Sequence, residues 1–483
     1  MYRRNLKVMA SSCSHPLADS WLGRSSFYEQ RVAFRPRESD RFYQHLLRQY
    51  YRFLVGPGAT VLEMGCGLGD LLDTVRPLRG VGVDFSPKTI ALARQRHPGL
   101  EFYVGEAARW SQPGQFDYIL LSDLINDLAD VQVVFDHLRS LAHPRTRLVL
   151  NFLNTLWRPA LALGEKTGAK APSLLQNWLS TTDVANLLHL SGWEVVKAEH
   201  RILWPLRTPL LAAFLNQWVA PLLPHLCLTI FIVARPRPTA ANPSHYRCSV
   251  VIPARNEAGN IVAAVRRTPV IGLGTELIFV EGHSTDDTWA EIARVAKAYP
   301  QRNIKVLKQK GKGKADAVRE GFAAATGEML FILDADLAVA PEDLPKFYEI
   351  LRAGTAEFVN GVRLVYPLEH ESMRFLNMVA NKLFGLAFSW LLGQKIKDAL
   401  CGTKVLFRAD YGMIAKNRSY FGEFDPFGDF DLLFGAAKLN LRLIDLPIRY
   451  HARRYGQTNI QRWRHGWLLV RMVLFAARWL KFL

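Results

Sequence analysis

The chain has 483 residues, more than one ordinary domain needs, and its length predicts two or three domains. Hydrophobic residues make up 49% and charged residues 22%, a balance that excludes an intrinsically disordered chain. A formal net charge of +18 favours anionic partners, and five cysteines without a CxxC pair argue against a disulfide framework or a zinc site.

The first half alternates short apolar segments with amphipathic ones, a pattern that predicts an α/β domain with a mostly parallel sheet. We place its strands near 60–64, 80–84, 101–104, 116–121, 147–152, 193–198 and 226–233. The first strand leads into a loop with Gly65, Gly67 and Gly69 at alternate positions, where the backbone can approach a ligand. Asp84 ends the next strand about 20 residues later, where a carboxylate can bind two ribose hydroxyls or cap a helix.

Two further strand ends carry polar residues, Glu106-Ala107 and Ser122-Asp123. Ligands of open α/β sheets bind at the carboxyl ends of the strands, so we expect all these residues at one site. Candidate general bases are Asp123, Asp127 and His137, and Trp157, Asn177 and Trp178 are candidates for an acceptor pocket. A structural role remains open for each of them.

Over roughly residues 40–235 these motifs resemble class I S-adenosylmethionine-dependent methyltransferases. The resemblance implies a Rossmann-like fold and S-adenosylmethionine as cofactor; glycine spacing alone would not exclude NAD. It assigns Glu63, Gly65, Gly67 and Gly69 to the cofactor loop, Asp84 to the ribose, and Glu106 and Ala107 to the adenine. Ser122 and Asp123 are then expected near the methionine end of the cofactor.

Prolines among small polar residues at 236–246 predict a linker between a domain at 1–235 and a second one at 247–462. The second half repeats the α/β alternation, with strands near 248–252, 276–280, 303–307, 329–333, 357–361, 404–407 and 441–446. The first of these strands stops at Pro253. Polar residues again follow the strands, including Asn256, Glu257, Glu281 and, in a basic loop, Lys312. Asp334 and Asp336 follow an apolar strand, and two such carboxylates can hold a divalent cation against a diphosphate.

Together these motifs resemble family 2 glycosyltransferases with the GT-A fold, over about residues 247–460. The resemblance assigns Pro253, Asn256, Glu257 and Glu281 to the nucleotide of a nucleotide-sugar donor, and Lys312 to its diphosphate. It makes Asp334 and Asp336 the catalytic metal pair for Mg²⁺ or Mn²⁺. Glu281 stands where that family usually has Asp, and Leu337-Ala338 lacks the Gln that polyprenyl-phosphate enzymes often have there.

Residues 397–408 are similar to the acceptor-side segment of dolichyl-phosphate mannosyltransferase-like enzymes, which implies a polyprenyl-phosphate acceptor held by Arg453 and Arg454. An inverting transfer to a hydroxyl would need a base, for which Asp398, Asp429 and Asp431 are candidates. A phosphate acceptor is already anionic and needs none. Helix capping or a salt bridge is the alternative role for these aspartates.

The C-terminal segment suggests contact with a membrane surface. From His451 to Leu483 there are seven Arg or Lys residues and no Asp or Glu, among many apolar and aromatic residues. We predict an amphipathic basic helix at 463–483 that lies in the headgroup layer, with packing on protein as the alternative. Since neither a signal peptide nor a long uncharged apolar stretch is present, we expect a cytoplasmic protein, peripheral at the inner face of the cell membrane.

The sequence therefore predicts a bifunctional enzyme. One half moves a hexose from a nucleotide sugar to a polyprenyl phosphate or another membrane-proximal acceptor, and the other methylates the sugar, its product or the acceptor. The first alternative is an enzyme that acts on a soluble or glycan hydroxyl. The second is a basic nucleic-acid-binding protein, but no nucleic-acid-binding motif is present and we expect no nucleic-acid partner.

Overall fold

The computed structural model describes residues 38–167, 170, 173, 176–238, 245–366, 375–417, 428–453, 455 and 462–482. The chain folds as two compact units, of which the N-terminal one extends to Arg237 and the C-terminal one begins at Pro238. Arg454, a predicted phosphate ligand, and the side chain of Asp429 lie outside the described residues.

The N-terminal unit is a seven-stranded sheet with helices on both faces. Its strands are β1 (Thr60–Met64), β2 (Arg79–Asp84), β3 (Glu101–Val104), β4 (Phe116–Leu121), β5 (Ala142–Leu153), β6 (Trp193–Arg201) and β7 (Thr229–Pro236). The α-helices of six or more residues are α1 (Glu38–Leu54), α2 (Asp70–Val75), α3 (Pro87–Arg96), α4 (Val131–Ser140), α5 (Arg158–Thr167) and α6 (Thr181–Leu190).

The strand order of this sheet is β3-β2-β1-β4-β5-β7-β6, with β7 antiparallel to both of its neighbours. The order reverses between β1 and β4, so a crevice opens at their carboxyl ends. Alternate residues of β1 enter different cores: Leu62 and Met64 lie in one and Val61 in the other. Burial on both faces explains why the strands are continuous apolar runs.

All seven strands predicted for this half are present, and β5 is longer than its pattern indicates. It begins at Ala142, because a register shift between Phe116 and Tyr118 lets the strand pass Pro144 and still pair with β4.

The C-terminal unit contains a second seven-stranded sheet. Its strands are β8 (Cys248–Ala254), β9 (Thr275–Glu281), β10 (Asn303–Lys308), β11 (Met329–Ile332), β12 (Phe358–Val362), β13 (Lys404–Phe407) and β14 (Leu443–Pro447). The helices are α7 (Ile261–Arg267), α8 (Thr288–Ala298), α9 (Lys314–Ala324), α10 (Leu344–Arg352), α11 (Phe375–Leu392), α12 (Arg408–Lys416), α13 (Asp429–Lys438) and α14 (Arg462–Leu480).

This sheet has the order β10-β9-β8-β11-β13-β12-β14, with β13 antiparallel to its neighbours. Its switch point lies between β8, which contains Pro253 near its end, and β11, which leads into Asp334. All seven predicted strands are again present. Among the described helices, none is both long and apolar enough to cross a membrane.

Helix α9 lies very close to strand β8, and this contact yields a stability test. A Cβ added at Gly321 would lie 2.3 Å from Val251 Cγ1, whereas one added at Gly412 on α12 meets nothing within 4 Å. We expect Gly321→Ala to lower the free energy of unfolding by about 1–3 kcal/mol through overpacking. Gly412→Ala is the control and should be neutral or slightly stabilising. Urea unfolding measures both, and equal effects would contradict the proposed close contact.

Candidate active sites

The glycine loop after β1 is tied to the end of β2 by hydrogen bonds to Asp84. The Gly67 amide donates to Asp84 Oδ2 at 3.0 Å, and the Ser86 amide donates to Asp84 Oδ1 at 3.0 Å. All three loop glycines have positive φ, and a Cβ at Gly67 would face open space. The loop thus presents a bare backbone next to a carboxylate, as a nucleoside site needs.

Glu63 lies beneath this loop and is almost fully buried. Its Oε2 atom has no hydrogen-bond partner, and burial raises the pKa of Glu63 well above its ordinary value. An unpaired buried carboxylate oxygen is costly unless a ligand satisfies it. Asp84 and the bare loop therefore fit a cofactor that carries ribose hydroxyl groups, and a hydrogen-bond donor on that cofactor would satisfy the Glu63 oxygen.

The end of β4 places Asp123 in a polar network that the sequence did not reveal. Asp123 has a φ of 53°, and its Oδ1 accepts hydrogen bonds from the Tyr43 hydroxyl at 2.9 Å and from Asn151 Nδ2 at 2.5 Å. Burial raises the pKa of Asp123 to about 6, although the bonds from Tyr43 and Asn151 oppose the shift. A carboxylate with this pKa can accept a proton near neutral pH.

The other predicted residues of this half have mainly structural contacts. Ser122 and Ala107 are half-buried, and the exposed Glu106 lies 3.8 Å from Arg109 Nε. Asn177 Nδ2 donates to the carbonyls of Ile125 and Leu128, so it holds the segment after β4. Further contacts join His137 to the Trp110 carbonyl, Asp127 to Gln176, Trp157 to the Leu226 carbonyl and Arg158 to the Trp178 ring.

In the C-terminal unit, the two carboxylates after β11 each meet a cation. Asp334 Oδ1 lies 2.5 Å from Lys314 Nζ, and Asp336 Oδ2 accepts from Arg453 Nη2 at 2.8 Å. Burial alone would raise the pKa of Asp334, but the Lys314 ammonium outweighs it and lowers that pKa. Burial and the nearby Asp334 raise the pKa of Asp336.

Arg453 also joins this cluster to Glu257, because its Nη1 donates to Glu257 Oε1 at 3.1 Å. Burial raises the pKa of Glu257 to about 7, against the opposing effects of Asn260 and Arg453. Arg453 was predicted to hold the acceptor phosphate; here it bridges two carboxylates of the expected donor side. Glu257 and Asp336 are thus brought together from opposite sides of the switch point.

The loops after β8 and β9 are bonded to each other. Asn256 Oδ1 accepts from the Thr285 amide at 2.8 Å, and the Asn256 amide donates to Ser284 Oγ at 3.1 Å. The buried Glu281 accepts from the Ser284 amide at 2.5 Å. The half-buried Pro253 precedes this connection. The predicted nucleotide residues therefore form one continuous rim.

Of the two lysines in the loop predicted to face the diphosphate, Lys314 contacts Asp334. Lys312 is exposed, and its amide donates to Asp316 Oδ2 at 3.0 Å. Lys314 is the first residue of α9, directly after Gly313 with its φ of 85°. A Cβ added at Gly402 would lie 2.1 Å from Asp334 Oδ2 and 2.3 Å from Lys314 Nζ, so the 397–408 segment adjoins this ion pair.

Two predicted bases are already engaged in ion pairs. Asp398 is fully buried and binds Arg363 through Nε at 2.7 Å and Nη2 at 2.8 Å. Burial would raise the pKa of Asp398, but the Arg363 guanidinium outweighs it and lowers that pKa. Asp431 is also buried, and its carboxylate accepts from Arg319 of α9. In this arrangement both carboxylates have the contacts of structural ion pairs.

The donor set after β11 suits a hard divalent cation. Asp334 and Asp336 offer carboxylate oxygens, the ligands that Mg²⁺ and Mn²⁺ prefer. Among the described residues no group of three or more His, Cys, Asp or Glu side chains forms a metal cluster. The residues present fit a metal that is completed by a diphosphate.

Both units match known families. A methyltransferase domain model matches residues 39–198, and the glycosyl transferase family 2 model matches residues 249–421. A dolichol-phosphate mannosyltransferase of Pyrococcus furiosus is 32% identical over 138 residues, which are 28% of this chain and 38% of that protein. A low-salt glycan biosynthesis hexosyltransferase of Haloferax volcanii is 29% identical over 233 residues, 47% of this chain and 53% of that protein. The chain thus spans between about a third and about half of the curated relatives it matches.

Solved structures resemble each unit separately. Glucosyl-3-phosphoglycerate synthase of Mycobacterium tuberculosis is 20% identical, covers 49% of this chain and 80% of that chain, and has a TM-score of 0.36. Magnesium protoporphyrin IX methyltransferase of Synechocystis is 17% identical, covers 44% of this chain and 94% of that chain, and has a TM-score of 0.31.

Two α/β units, each with its polar residues at a sheet switch point, define a chain with two transferase domains. The N-terminal unit is a class I S-adenosylmethionine-dependent methyltransferase domain, and the C-terminal unit is a family 2 glycosyltransferase domain with the GT-A fold. The predicted fold class and enzyme class are thereby confirmed.

The Asp398–Arg363 pair yields a test that separates structural from chemical roles. We expect Asp398→Asn to lower the free energy of unfolding by about 3–5 kcal/mol, because it leaves a buried guanidinium without its counter-charge. Glu349→Gln, which breaks the surface pair with Arg352, is the control and should change stability by less than about 1 kcal/mol. Chemical unfolding measures both. An Asp398→Asn protein of unchanged stability that has lost only activity would instead support a catalytic role.

Proposed function

We propose that the chain is a bifunctional enzyme. Its glycosyltransferase domain moves a hexose from a nucleotide sugar to a polyprenyl phosphate, and its methyltransferase domain uses S-adenosylmethionine to methylate the sugar, the product or the acceptor. The observation that carries the first activity is the cluster of Glu257, Asp334 and Asp336 with Lys314 and Arg453. We place the enzyme in the cytoplasm, peripheral to the inner face of the membrane.

The donor side must neutralise a diphosphate leaving group. A divalent cation, when bound to Asp334 and Asp336, would supply Lewis-acid charge there. Lys314 and Arg453 are the cationic side chains next to these aspartates. Lys314 forms an ion pair with Asp334, and Arg453 forms one with Asp336. If a divalent cation bound these carboxylates, Lys314 and Arg453 would be the chain's own groups available to bind the phosphate oxygens of the donor.

The acceptor side favours a nucleophile that is already charged. A hydroxyl acceptor needs a base, yet two of the three predicted bases, Asp398 and Asp431, are buried in ion pairs, and the side chain of the third, Asp429, lies outside the described residues. A phosphate monoester is anionic at neutral pH and requires no such group. This supports a polyprenyl phosphate, and the relative named as a dolichol-phosphate mannosyltransferase points the same way.

Two helices of the glycosyltransferase domain support contact with a membrane surface. Helices α11 and α14 pack against each other, and each also exposes large apolar side chains to solvent. The most exposed are Leu383, Leu386, Trp467 and Leu474. Apolar side chains beside basic ones suit the headgroup layer, where a lipid-linked acceptor would be met.

The methyltransferase domain has a candidate base in Asp123. Methyl transfer from a sulfonium is a direct displacement that depends on alignment of the acceptor, and a hydroxyl or amine acceptor must also lose a proton. Asp123 lies at the carboxyl end of β4, and Tyr43 and Asn151 hold its carboxylate in place. Glu63, Gly67 and Asp84 would hold the cofactor beside it.

The aspartate pair gives the direct test of glycosyl transfer. We expect Asp336→Asn to reduce transfer from nucleotide sugars to polyprenyl phosphate by at least about 100-fold, because metal and diphosphate lose a ligand. Calorimetry with S-adenosylmethionine is the internal control and should be unchanged. Full transfer by this variant, or no transfer by the wild type with any donor, would exclude the proposed donor site.

The pH profile tests the methyl-transfer half. Because the hydrogen bond from Tyr43 lowers the pKa of Asp123, Tyr43→Phe should raise that pKa. In the wild type, methyl transfer should fall as the pH drops through about 6, since Asp123 becomes protonated. In the variant this fall should begin at higher pH, and Asp123→Asn should lose at least about 100-fold in kcat. An unshifted profile in Tyr43→Phe would remove Asp123 as the base.

Lipid dependence distinguishes the polyprenyl-phosphate acceptor from a soluble glycan hydroxyl. We expect Trp467→Gln with Leu474→Gln to reduce transfer to polyprenyl phosphate in vesicles by about tenfold, while transfer to a short water-soluble phosphate analogue is unchanged. The exposed pair Val270→Gln with Leu273→Gln is the control. Transfer to a free glycan without any lipid, unaffected by either pair, would favour the soluble acceptor.

A further inference from the structure

The connection between β6 and β7 is an apolar insert, residues 202–228, at the same sheet edge as Asp123. Arg201 at the end of β6 and Leu153 at the end of β5 both pair with Thr229, so the insert emerges beside the carboxyl end of β5. Thr229 Oγ1 lies 3.4 Å from the Tyr43 hydroxyl, which bonds to Asp123. The insert therefore begins and ends next to the expected methyl-transfer site.

The insert has a defined internal structure. Asn216 Oδ1 accepts from the amides of Leu203 at 2.9 Å and Trp204 at 2.8 Å, and its Nδ2 donates to the Trp204 carbonyl. The Leu228 amide bonds to the Ile202 carbonyl at 2.7 Å, which closes the insert at its base. Ala220 and Cys227 are fully buried inside it. These hydrogen bonds hold the insert in one defined conformation, so its surface has a fixed shape.

That surface is apolar although it faces solvent. Leu210 is 88% exposed and has a φ of 63°, a backbone conformation that leucine seldom adopts. The other large exposed apolar residues of the insert are Leu206, Leu211, Phe214, Trp218, Leu222, Leu223 and Leu226. A contiguous segment of this kind on a soluble domain marks an interaction surface.

The charge of the insert and of the whole chain indicates what kind of partner this surface would bind. Residues 202–228 contain no Asp or Glu and one arginine, Arg207, within a chain of net charge +18. Two copies of so basic a chain repel each other, whereas an anionic lipid surface attracts both the charge and the apolar side chains. A lipid surface thus fits the insert better than a second copy does.

We propose that the apolar insert docks the methyltransferase domain on a lipid surface, so that the methyl acceptor is a polar group carried by a lipid. The part of this inference that names the methyl acceptor rests on the proposed methyl transfer. The docking of the insert on a lipid surface does not depend on it. Among the methyl acceptors proposed above, this inference selects one that is presented at a bilayer, such as the sugar of a lipid-linked product.

Hydrogen–deuterium exchange of the full chain tests the docking, with and without vesicles of phosphatidylcholine and phosphatidylglycerol. Vesicles should slow exchange in peptides within 203–226 by at least about threefold, because the lipid shields exposed amides. Peptides around Leu190, which is also exposed, should not change. Protection confined to 462–480 would overturn the proposal, and so would protection without vesicles that rises with protein concentration.

Matched variants make the test specific. Leu210→Gln, Phe214→Gln and Leu222→Gln combined should abolish the protection of 203–226 and retain that of 462–480. Leu78→Gln, Leu190→Gln and Leu273→Gln combined, equally exposed outside the insert, should retain both. Calorimetry with S-adenosylmethionine checks the fold of each variant. Wild-type protein that binds no S-adenosylmethionine would refute the proposed methyl transfer but not the docking, so the two failures are distinguishable.

Discussion

Desolvation of carboxylates at the switch points of the two sheets is the constraint on which both sites depend. A carboxylate that leaves water must gain hydrogen bonds, a counter-ion or a proton. Each unit satisfies this need differently. Asp84 is held by the backbone amides of Gly67 and Ser86, whereas Asp334 and Asp336 are held by the cations of Lys314 and Arg453.

This difference matches the ligand that each site would receive. The methyltransferase site keeps a buried acidic oxygen of Glu63 without a hydrogen-bond partner, which suits a cofactor that offers a hydrogen-bond donor. The glycosyltransferase site pairs three acids with two cations, which suits a ligand that carries both a metal ion and phosphates. Both sheets place their polar residues at a switch point. The charges at the strand ends differ between the two sheets, and so does the chemistry that each site supports.

The sequence predicted the sheets well, because strand periodicity and strand-end polarity are local signals. Gly67 and Asp84 meet as their spacing after β1 and β2 indicates. The contacts that the sequence did not reveal are long-range. Tyr43 comes from α1, which precedes every strand, and Arg453 reaches Glu257 across 196 positions of the chain. No spacing rule connects such residues.

Choices among similar residues also needed the structure. The sequence gives no reason to choose between Lys312 and Lys314, which lie in the same basic loop. In the structure α9 begins at Lys314, directly after Gly313, and this places the Lys314 ammonium next to Asp334. Asp398 resembled a base because it lies in the acceptor segment. Its pairing with Arg363 depends on how β12 approaches that segment, a tertiary relation. Tertiary contacts distinguish the residues in both cases, and a sequence motif does not show such contacts.

Arg453 bridges Glu257 and Asp336, so one positive charge is shared by two carboxylates and part of their negative charge has no counter-ion. A ligand that bound here would have to replace these contacts, with a cation on the carboxylates and an anion on the guanidinium. We therefore expect the cluster to favour a ligand that carries both signs of charge over a lone anion or a lone cation.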